Sequence, residues 1–347
     1  MKKLYKSAIF TDLHFGRKNN GLQHNEDCTN FIDWFCTQVV TNNCDHVLFL
    51  GDWYENRSSL NISTLAYSHA AAKKLNELNI PIYFCIGNHD LYQRHTRDIY
   101  STVTFSEFTN FNLIDKPTTV SCIGDGALIV PFLFHDEYDG LKNYKELPFW
   151  AGHFEFKGFE VTGYGIKMQS GPNPDDFKGP KAILSGHFHK RQSDKNIHYV
   201  GNTFGMDMGD AGDFDRGMAI YDHKKHKLSY INWVEGPRYQ KLNLSDMLSE
   251  SVTIHNNARI KCLTDIDMSY EESLKLRQSL TERYNLRELK FEDFDDTTVV
   301  LKSDIDDNIT SDEKLRSVDE LVLEMLSSIE SSSMDSEKLI EIYNTLN

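Results

Sequence analysis

The chain has 347 residues, 39% of them hydrophobic, with 52 acidic against 37 basic side chains and a formal net charge of −15. That length accommodates a large domain plus a smaller unit, and no uninterrupted apolar span of about 18 residues is present to cross a membrane. Two N-terminal lysines lead into only Ala8-Ile9-Phe10 before Asp12, so no signal peptide is expected; six cysteines without Cys-x-x-Cys spacing read as reduced core thiols, and the expected location is the cytoplasm.

The first strand-like run, Ser7 to Thr11, closes on Asp12-Leu13-His14, after which Phe31, Phe35 and Val39 mark one face of a helix. Val47 to Leu50 closes on Gly51-Asp52, and Leu65, Ala72 and Leu75 suggest a second helix. Ile82 to Ile86 closes on Gly87-Asn88-His89-Asp90, Pro148 to Ala151 on Gly152-His153, and Ala182 to Ser185 on Gly186-His187-Phe188-His189. Short apolar runs alternating with amphipathic helices predict an α/β fold for residues 1–236. Gly236-Pro237 marks a boundary, and a smaller α/β unit is expected over 237–303: a strand near Ala258 to Leu263, a helix opened by the capping-box pair Ser269 and Glu272, and a strand at Leu286 to Phe291. Residues 304–347 read as a helical tail. Thr310 and Glu313 make another capping box, Leu315, Val318, Val322, Met325 and Ile329 recur at three- and four-residue steps, and Leu339, Ile342, Tyr343 and Leu346 form a second face. The tail holds twelve acidic and three basic residues, so it carries −9 and the remainder −6.

Gly-Asn-His-Asp should arise by chance in only about one chain in a thousand of this length, and Gly-His-x-His in about one in a hundred. Their residue types are the ligand inventory of a site holding two divalent ions about 3.5–4 Å apart, in which one carboxylate bridges. Asp52 is the candidate bridge. Asp12, His14 and His189 would complete one ion, while Asn88, His153 and His187 would hold the other. Alternate residues of an extended segment point the same way, so Asp12 and His14, or His187 and His189, can share a site. Mixed imidazole, carboxylate and amide ligation favours manganese, iron or zinc over magnesium, with manganese the first choice.

The five motifs in this order resemble those of the calcineurin-like metallophosphoesterases. Within that superfamily the chain is similar to the SbcD-type DNA-repair nucleases, and most of all to their T-even phage counterpart, the nuclease subunit of a recombination complex. Gly152-His153-Phe154-Glu155 running into Lys157-Gly158-Phe159, Tyr199-Val200-Gly201-Asn202-Thr203, and Asp213-Phe214-Asp215-Arg216-Gly217 before the apolar Met218 to Tyr221 add to the likeness, which spans residues 5 to about 235.

The resemblance implies a two-sheet sandwich flanked by helices, with metals at its edge, a small domain that caps DNA, and two-metal hydrolysis of phosphodiesters by a nuclease with exonuclease and endonuclease activity. Such an enzyme would process DNA ends in recombination, repair and replication. It also implies a homodimer within a heterotetramer, with the C-terminal helices docked on the coiled-coil base of an SbcC-like ATPase; folding back onto their own domain is the alternative. His89 matches the family histidine that contacts the scissile phosphate, and Asp90 would hold its imidazole cationic or else cap a helix. A second family histidine is replaced by Glu55, which either pairs with a neighbour such as Arg57 or is a solvated loop residue. Loops with Arg94, His95 and Arg97, or Lys190 and Arg191, either supply modest phosphate contacts or carry ordinary solvated charges, the latter being the expectation for any single one. Two other functions stand beside the nuclease: a phosphoesterase for nucleotides or phosphoproteins, and a non-catalytic scaffold subunit.

Overall fold

The structure is a computed structural model that describes residues 2–161, 165–293 and Lys338. The expected tail over 304–347, including the stripes from Leu315 to Ile329 and Leu339 to Leu346, lies outside the described residues apart from Lys338. Among the described residues no helix is long and apolar enough to cross a membrane.

Two six-stranded mixed sheets share one core. The first is founded on four parallel strands, β1 (Lys6–Phe10), β2 (His46–Phe49), β3 (Ile82–Cys85) and β4 (Phe111–Ile114). The second runs through β5 (Thr118–Val120), β6 (Ala127–Val130), β7 (Phe149–Gly152), β8 (Ala182–Ser185), β9 (Gln192–Asp194) and β10 (Ile197–Tyr199), with β6, β7, β8 and β10 parallel. The chain then returns to the first sheet, where β11 (Gly217–Asp222) lies antiparallel to β1 and β12 (Lys227–Asn232) forms the edge.

The inner strands β1, β2 and β3 of the first sheet read as near-continuous apolar runs because both of their faces are buried. Ala8, Phe10, Val47, Phe49, Ile82 and Phe84 face α1 (Leu22–Thr41) and α2 (Ile62–Asn76), while Ile9, Leu48, Tyr83 and Cys85 face the second sheet. Phe31, Phe35 and Val39 are buried on α1 as expected, but Leu65 is 46% exposed on α2, whose inner face is instead Thr64, Ser68, Ala71, Ala72 and Leu75. Leucine spacing misleads there because two small residues and two hydroxyls do the close packing; Ser68 accepts the Trp53 indole N–H at 2.8 Å.

Beyond Gly236-Pro237 three parallel strands, β13 (Arg238–Asn243), β14 (Ala258–Thr264) and β15 (Glu288–Asp293), make a separate small sheet with its own apolar core of Leu244, Met247, Ile260, Leu280 and Leu289. Ser269 and Glu272 form the capping box that opens its helix, Tyr270–Arg283. Arg287 grips Asp27 of α1 with two bonds of 2.5 and 2.7 Å, tying this sheet to the larger part.

At the opening end of β1, Ser7 Oγ lies 2.6 Å from His46 Nε2 and 2.7 Å from His223 Nε2, all three buried, and His46 Nδ1 is 2.7 Å from Asp45. Burial, with His46 nearby, depresses His223 to about 3. The unfolded chain therefore binds this proton more tightly than the folded one: the cluster is undisturbed above about pH 6.5, and stability falls as the pH drops from there toward 3, by about 2 kcal/mol at pH 5. In chemical denaturation between pH 7 and pH 4, His223→Gln should flatten the loss of stability; an unchanged slope would place the acid sensitivity elsewhere.

Candidate metal centre

The chemistry-bearing motifs follow the C-terminal ends of parallel strands in both sheets: Asp12 after β1, Asp52 after β2, Asn88 after β3, His153 after β7, and His187 and His189 after β8. That edge is where open parallel sheets leave a crevice. The structure brings all seven expected ligands, and His89, into it. Ligand atoms of Asp12, His14 and His189 lie within 4.8 Å of one another, as do those of Asp52, His153 and His187, and those of His14, Asp52 and His89. Asp52 stands between the groups, with Oδ2 at 3.4 Å from His153 Nε2 and 3.9 Å from His14 Nε2.

The backbone route differs from the expected extended alternation. Asp12, His14, Asp52 and His187 have φ of 53°, 52°, 61° and 87°, the left-handed region that non-glycine residues seldom occupy. His187 and His189 consequently diverge: His187 Nδ1 lies 3.0 Å from Asn88 Oδ1, whereas His189 Nε2 lies 3.1 Å from His14 Nε2. Two glycines permit the close approach, since a Cβ on Gly87 would collide with the Asp52 carboxylate and one on Gly186 with Thr11 Oγ1.

Three of the histidines are tied by one ring nitrogen and aim the other inward. His153 Nδ1 donates to the Leu50 carbonyl at 2.6 Å, His14 Nδ1 lies 2.7 Å from Glu55 Oε2, and His187 Nε2 lies 3.1 Å from Glu155 Oε2. These outer partners fix the tautomer, leaving lone pairs on His153 Nε2, His14 Nε2 and His187 Nδ1, which is how metal-binding imidazoles are usually held.

Asn88 provides the test of fit. With its oxygen inward, it meets His153 Nε2 at 2.9 Å and His187 Nδ1 at 3.0 Å, both lone-pair donors, so a cation reconciles the group. The amide reversed would instead place its nitrogen among these atoms and Asp52 Oδ2, with its oxygen 3.2 Å from Arg57 Nη2. The reversed amide satisfies these atoms by itself, whereas the inward oxygen is the arrangement a cation selects, and the oxygen and nitrogen donors gathered there suit a borderline divalent ion.

The electrostatics agree. Burial opposes ionisation of Asp12 and Asp52, yet the surrounding histidines hold both below the ordinary carboxylate range. Burial likewise opposes protonation of His153 and His14, but Asp52 lifts His153 to about 9, and Glu55 with Asp12 holds His14 well above its usual value. Imidazoles set among carboxylates in this way lie in a region of negative potential, which favours a cation.

Two expectations need correction. Asp90 does not serve the His89 imidazole: its oxygens accept backbone N–H groups from Gly87, Asp52, Trp53 and Tyr54 at 3.0 to 3.2 Å, stapling one motif to the other. Burial and the neighbouring Asp52 push its carboxyl up to about 7, against the pull of those N–H groups. His89 Nδ1 is held instead by the Glu55 carbonyl at 2.9 Å. Nor is Glu55 a solvated loop residue. Its carboxylate, 20% exposed, bridges His14 and Arg17, and Arg17 continues to Asp207 at 2.9 Å.

Sequence reasoning also gave no role to Glu155 or Arg216, both noted only as part of a likeness; Arg216 binds Asp210 and Asp213 at 2.9 Å and the His189 carbonyl. A glutamate two residues after a ligand histidine was the available signal for the first. For the second, Asp210 and Asp213 stand close by in sequence, while the His189 carbonyl, 27 residues away, is reached only by folding.

The calcineurin-like phosphoesterase family matches residues 5–191. Exonuclease subunit 1 of Enterobacteria phage T4 is 26% identical over 235 residues, 64% of this chain and 68% of its own. Among solved structures, a protein of Thermus thermophilus covers 66% of this chain and 99% of itself at 11% identity and a TM-score of 0.41. A dimetal phosphatase from Danio rerio covers 64% and 93% at 8% identity and a TM-score of 0.39. With the family match running over more than half of its 347 residues and the ligand-bearing edge in place, the chain belongs to the calcineurin-like phosphoesterases, hydrolases that bind two divalent metal ions.

Proposed function

We propose that the chain is the nuclease subunit of a DNA-processing complex, hydrolysing phosphodiesters of DNA ends in recombination, repair and replication, in the cytoplasm and with an SbcC-like ATPase partner. The observation that carries the hydrolytic part is the pair of ligand groups meeting at Asp52, with His14, His153 and His187 tied from outside. The preference for DNA rests on the likeness to the phage T4 exonuclease subunit, and the partner, the dimer and the docking of the 304–347 tail rest on the sequence resemblance.

Asp12, His14 and His189 would hold one ion and Asn88, His153 and His187 the other, with Asp52 shared. Two divalent ions, when bound, activate water and neutralise the developing charge on phosphorus oxygens, and manganese suits this mixed donor set. The chain's own residues do the rest. Because Nδ1 of His89 faces a carbonyl oxygen, it carries the hydrogen, and Nε2 is the nitrogen left for substrate. As an imidazolium it donates to the leaving oxygen. Burial holds this ring less basic than usual, while Asp52 and Glu55 pull the other way. Asp90 keeps the backbone of both motifs in register, and Glu55 and Glu155 orient His14 and His187.

A phosphoesterase acting on nucleotides or phosphoproteins would share all of this. Purified full-length chain with manganese should cleave single- or double-stranded DNA and lose that activity to a chelator. Turnover of nucleotides or a small phosphodiester with DNA untouched would favour the phosphoesterase, and no hydrolysis of any substrate the scaffold.

Asp52→Ala should abolish hydrolysis and both metal-binding events together in calorimetry; two ions retained at ordinary affinity would remove Asp52 from the bridging position. Glu155→Gln keeps the shape but weakens the hold on His187, and a loss of about 10–100-fold in metal affinity is expected, the usual cost of losing an outer carboxylate. His89→Ala should keep both ions and lower cleavage by about a hundredfold or more. Since His89 reaches the same space as His14 and Asp52, loss of an ion in that variant would make it a ligand instead.

A further inference from the structure

Beside the metal centre lies a cavity of about 180 Å³ that the hydrolytic mechanism does not use. Its walls are the rings of Phe132, Phe134 and Tyr138, and its polar margin carries Arg94, His135 and Glu155. It shares two residues with the ligand shell. Glu155 holds His187 Nε2, and the Phe132 ring centre is 5.8 Å from that of His187 and 6.1 Å from that of His153. The walls are set: Phe132 meets Phe134 edge to face at 6.0 Å, Arg97 lies over Phe134 at 4.8 Å, and Tyr138 accepts the Glu155 backbone N–H through its hydroxyl at 2.9 Å. Phe132 itself is pinned by a 2.8 Å bond from its N–H to the Ile86 carbonyl, the residue before Gly87, yet both phenyl rings remain only half-buried.

A cavity of roughly 150 Å³ lined by apolar side chains accommodates one benzene ring, so this one has room for a single flat ring system and not for a whole nucleotide. Aromatic walls stack any base because every base has a π-face, and the polar margin offers both donors and acceptors to a base edge. A phosphodiester seated among Asp52, His153 and His187 must send its two flanking nucleotides away from the ions, and Phe132 stands at the first wall on the His187 side.

We propose that the Phe132, Phe134 and Tyr138 cavity is a nucleobase subsite that takes the base of a nucleotide flanking the scissile phosphate and so positions the strand for cleavage. The inference rests on the nuclease reading above. Phe132 is a positioning residue: it does not touch the reacting atoms, and its contribution appears in the binding of a strand that bears a base.

Two oligonucleotides with a fixed cleavage site, each carrying one abasic residue on one side of the cut, serve as probes against the intact strand with the manganese-loaded full-length chain. Stacking of one base on an aromatic ring is worth at least about a fivefold preference, so one abasic strand should show kcat/KM lower by that factor or more, chiefly through KM. In Phe132→Ala that ratio should collapse toward one, while Phe132→Trp should keep it. Phe134→Ala, at the adjoining ring of the wall, should lower it as well and covers the case in which Phe132→Ala does not fold. Equal cleavage of intact and abasic strands by the unaltered protein overturns the subsite with the nuclease intact, as does a ratio that survives both alanine variants. Hydrolysis of a small phosphodiester with every oligonucleotide uncut overturns the nuclease reading, and the subsite with it.

Discussion

The structure is organised around one electrostatic constraint: three carboxylates, Asp12, Asp52 and Asp90, are buried to 1% exposure or less within one crevice. Carboxylates out of water are tolerated only when paired or hydrogen-bonded. Each is met differently. Asp90 receives four backbone N–H groups and is fully occupied as a brace. Asp12 receives the His187 N–H at 3.2 Å and Asp52 the His89 N–H at 2.8 Å, which leaves oxygen lone pairs on both facing the imidazoles. A brace and two incompletely satisfied acids are distinct roles for the same residue type, set by how many N–H groups the turns deliver.

That delivery costs backbone strain. Left-handed φ at Asp12, His14, Asp52 and His187 costs of order 1–3 kcal/mol apiece, and such conformations persist only where the surroundings over-determine them. Here they are over-determined from both sides. Asp12 N–H bonds the Gly51 carbonyl at 3.0 Å, Leu13 and His14 bond the Asp52 carbonyl at 3.0 and 3.2 Å, and buried His24 holds the His14 carbonyl at 2.9 Å. The Asp12 and Asp52 turns thus brace each other, and two doubly buried sheets clamp the strands that feed them.

The division between what was legible in the sequence and what was not follows contact range. The five strands that end in motifs were readable because double burial makes them uninterrupted apolar runs and because glycine, aspartate and histidine mark their ends. β5, β9 and β10 were not, being three residues long and part of the sheet only through neighbours. The residue types that the crevice gathers were readable, but the spacing misled over His187 and His189, which diverge. The outer partners of His14 and His187 were harder to read: Glu55 sits 41 residues from His14, and Glu155 sits 32 from His187 with only its place two residues after His153 to mark it. The same blindness affected Asp90, whose neighbour in sequence is His89 but whose partners in space are backbone groups of the Asp52 turn.

Range also decides how phosphate can be attracted. Three cations that seemed available from sequence are committed once the chain folds: Arg97 to Glu137, Lys190 to Glu160 at 2.6 Å, and Arg191 across the Tyr230 ring at 4.2 Å with a bond to Asn232; Arg17, beside the metal centre, is likewise taken by Glu55 and Asp207. Paired cations contribute little net field, and the chain outside the tail is itself acidic, at −15 less the −9 of residues 304–347, or −6. An enzyme of this charge does not hold a polyanion by a broad basic surface, the usual source of non-specific affinity. On the proposed function, positive charge is then concentrated at the ions themselves, which makes the catalytic centre the chief electrostatic anchor and leaves contacts such as an aromatic wall, or a partner subunit, to supply the rest of the grip on the strand.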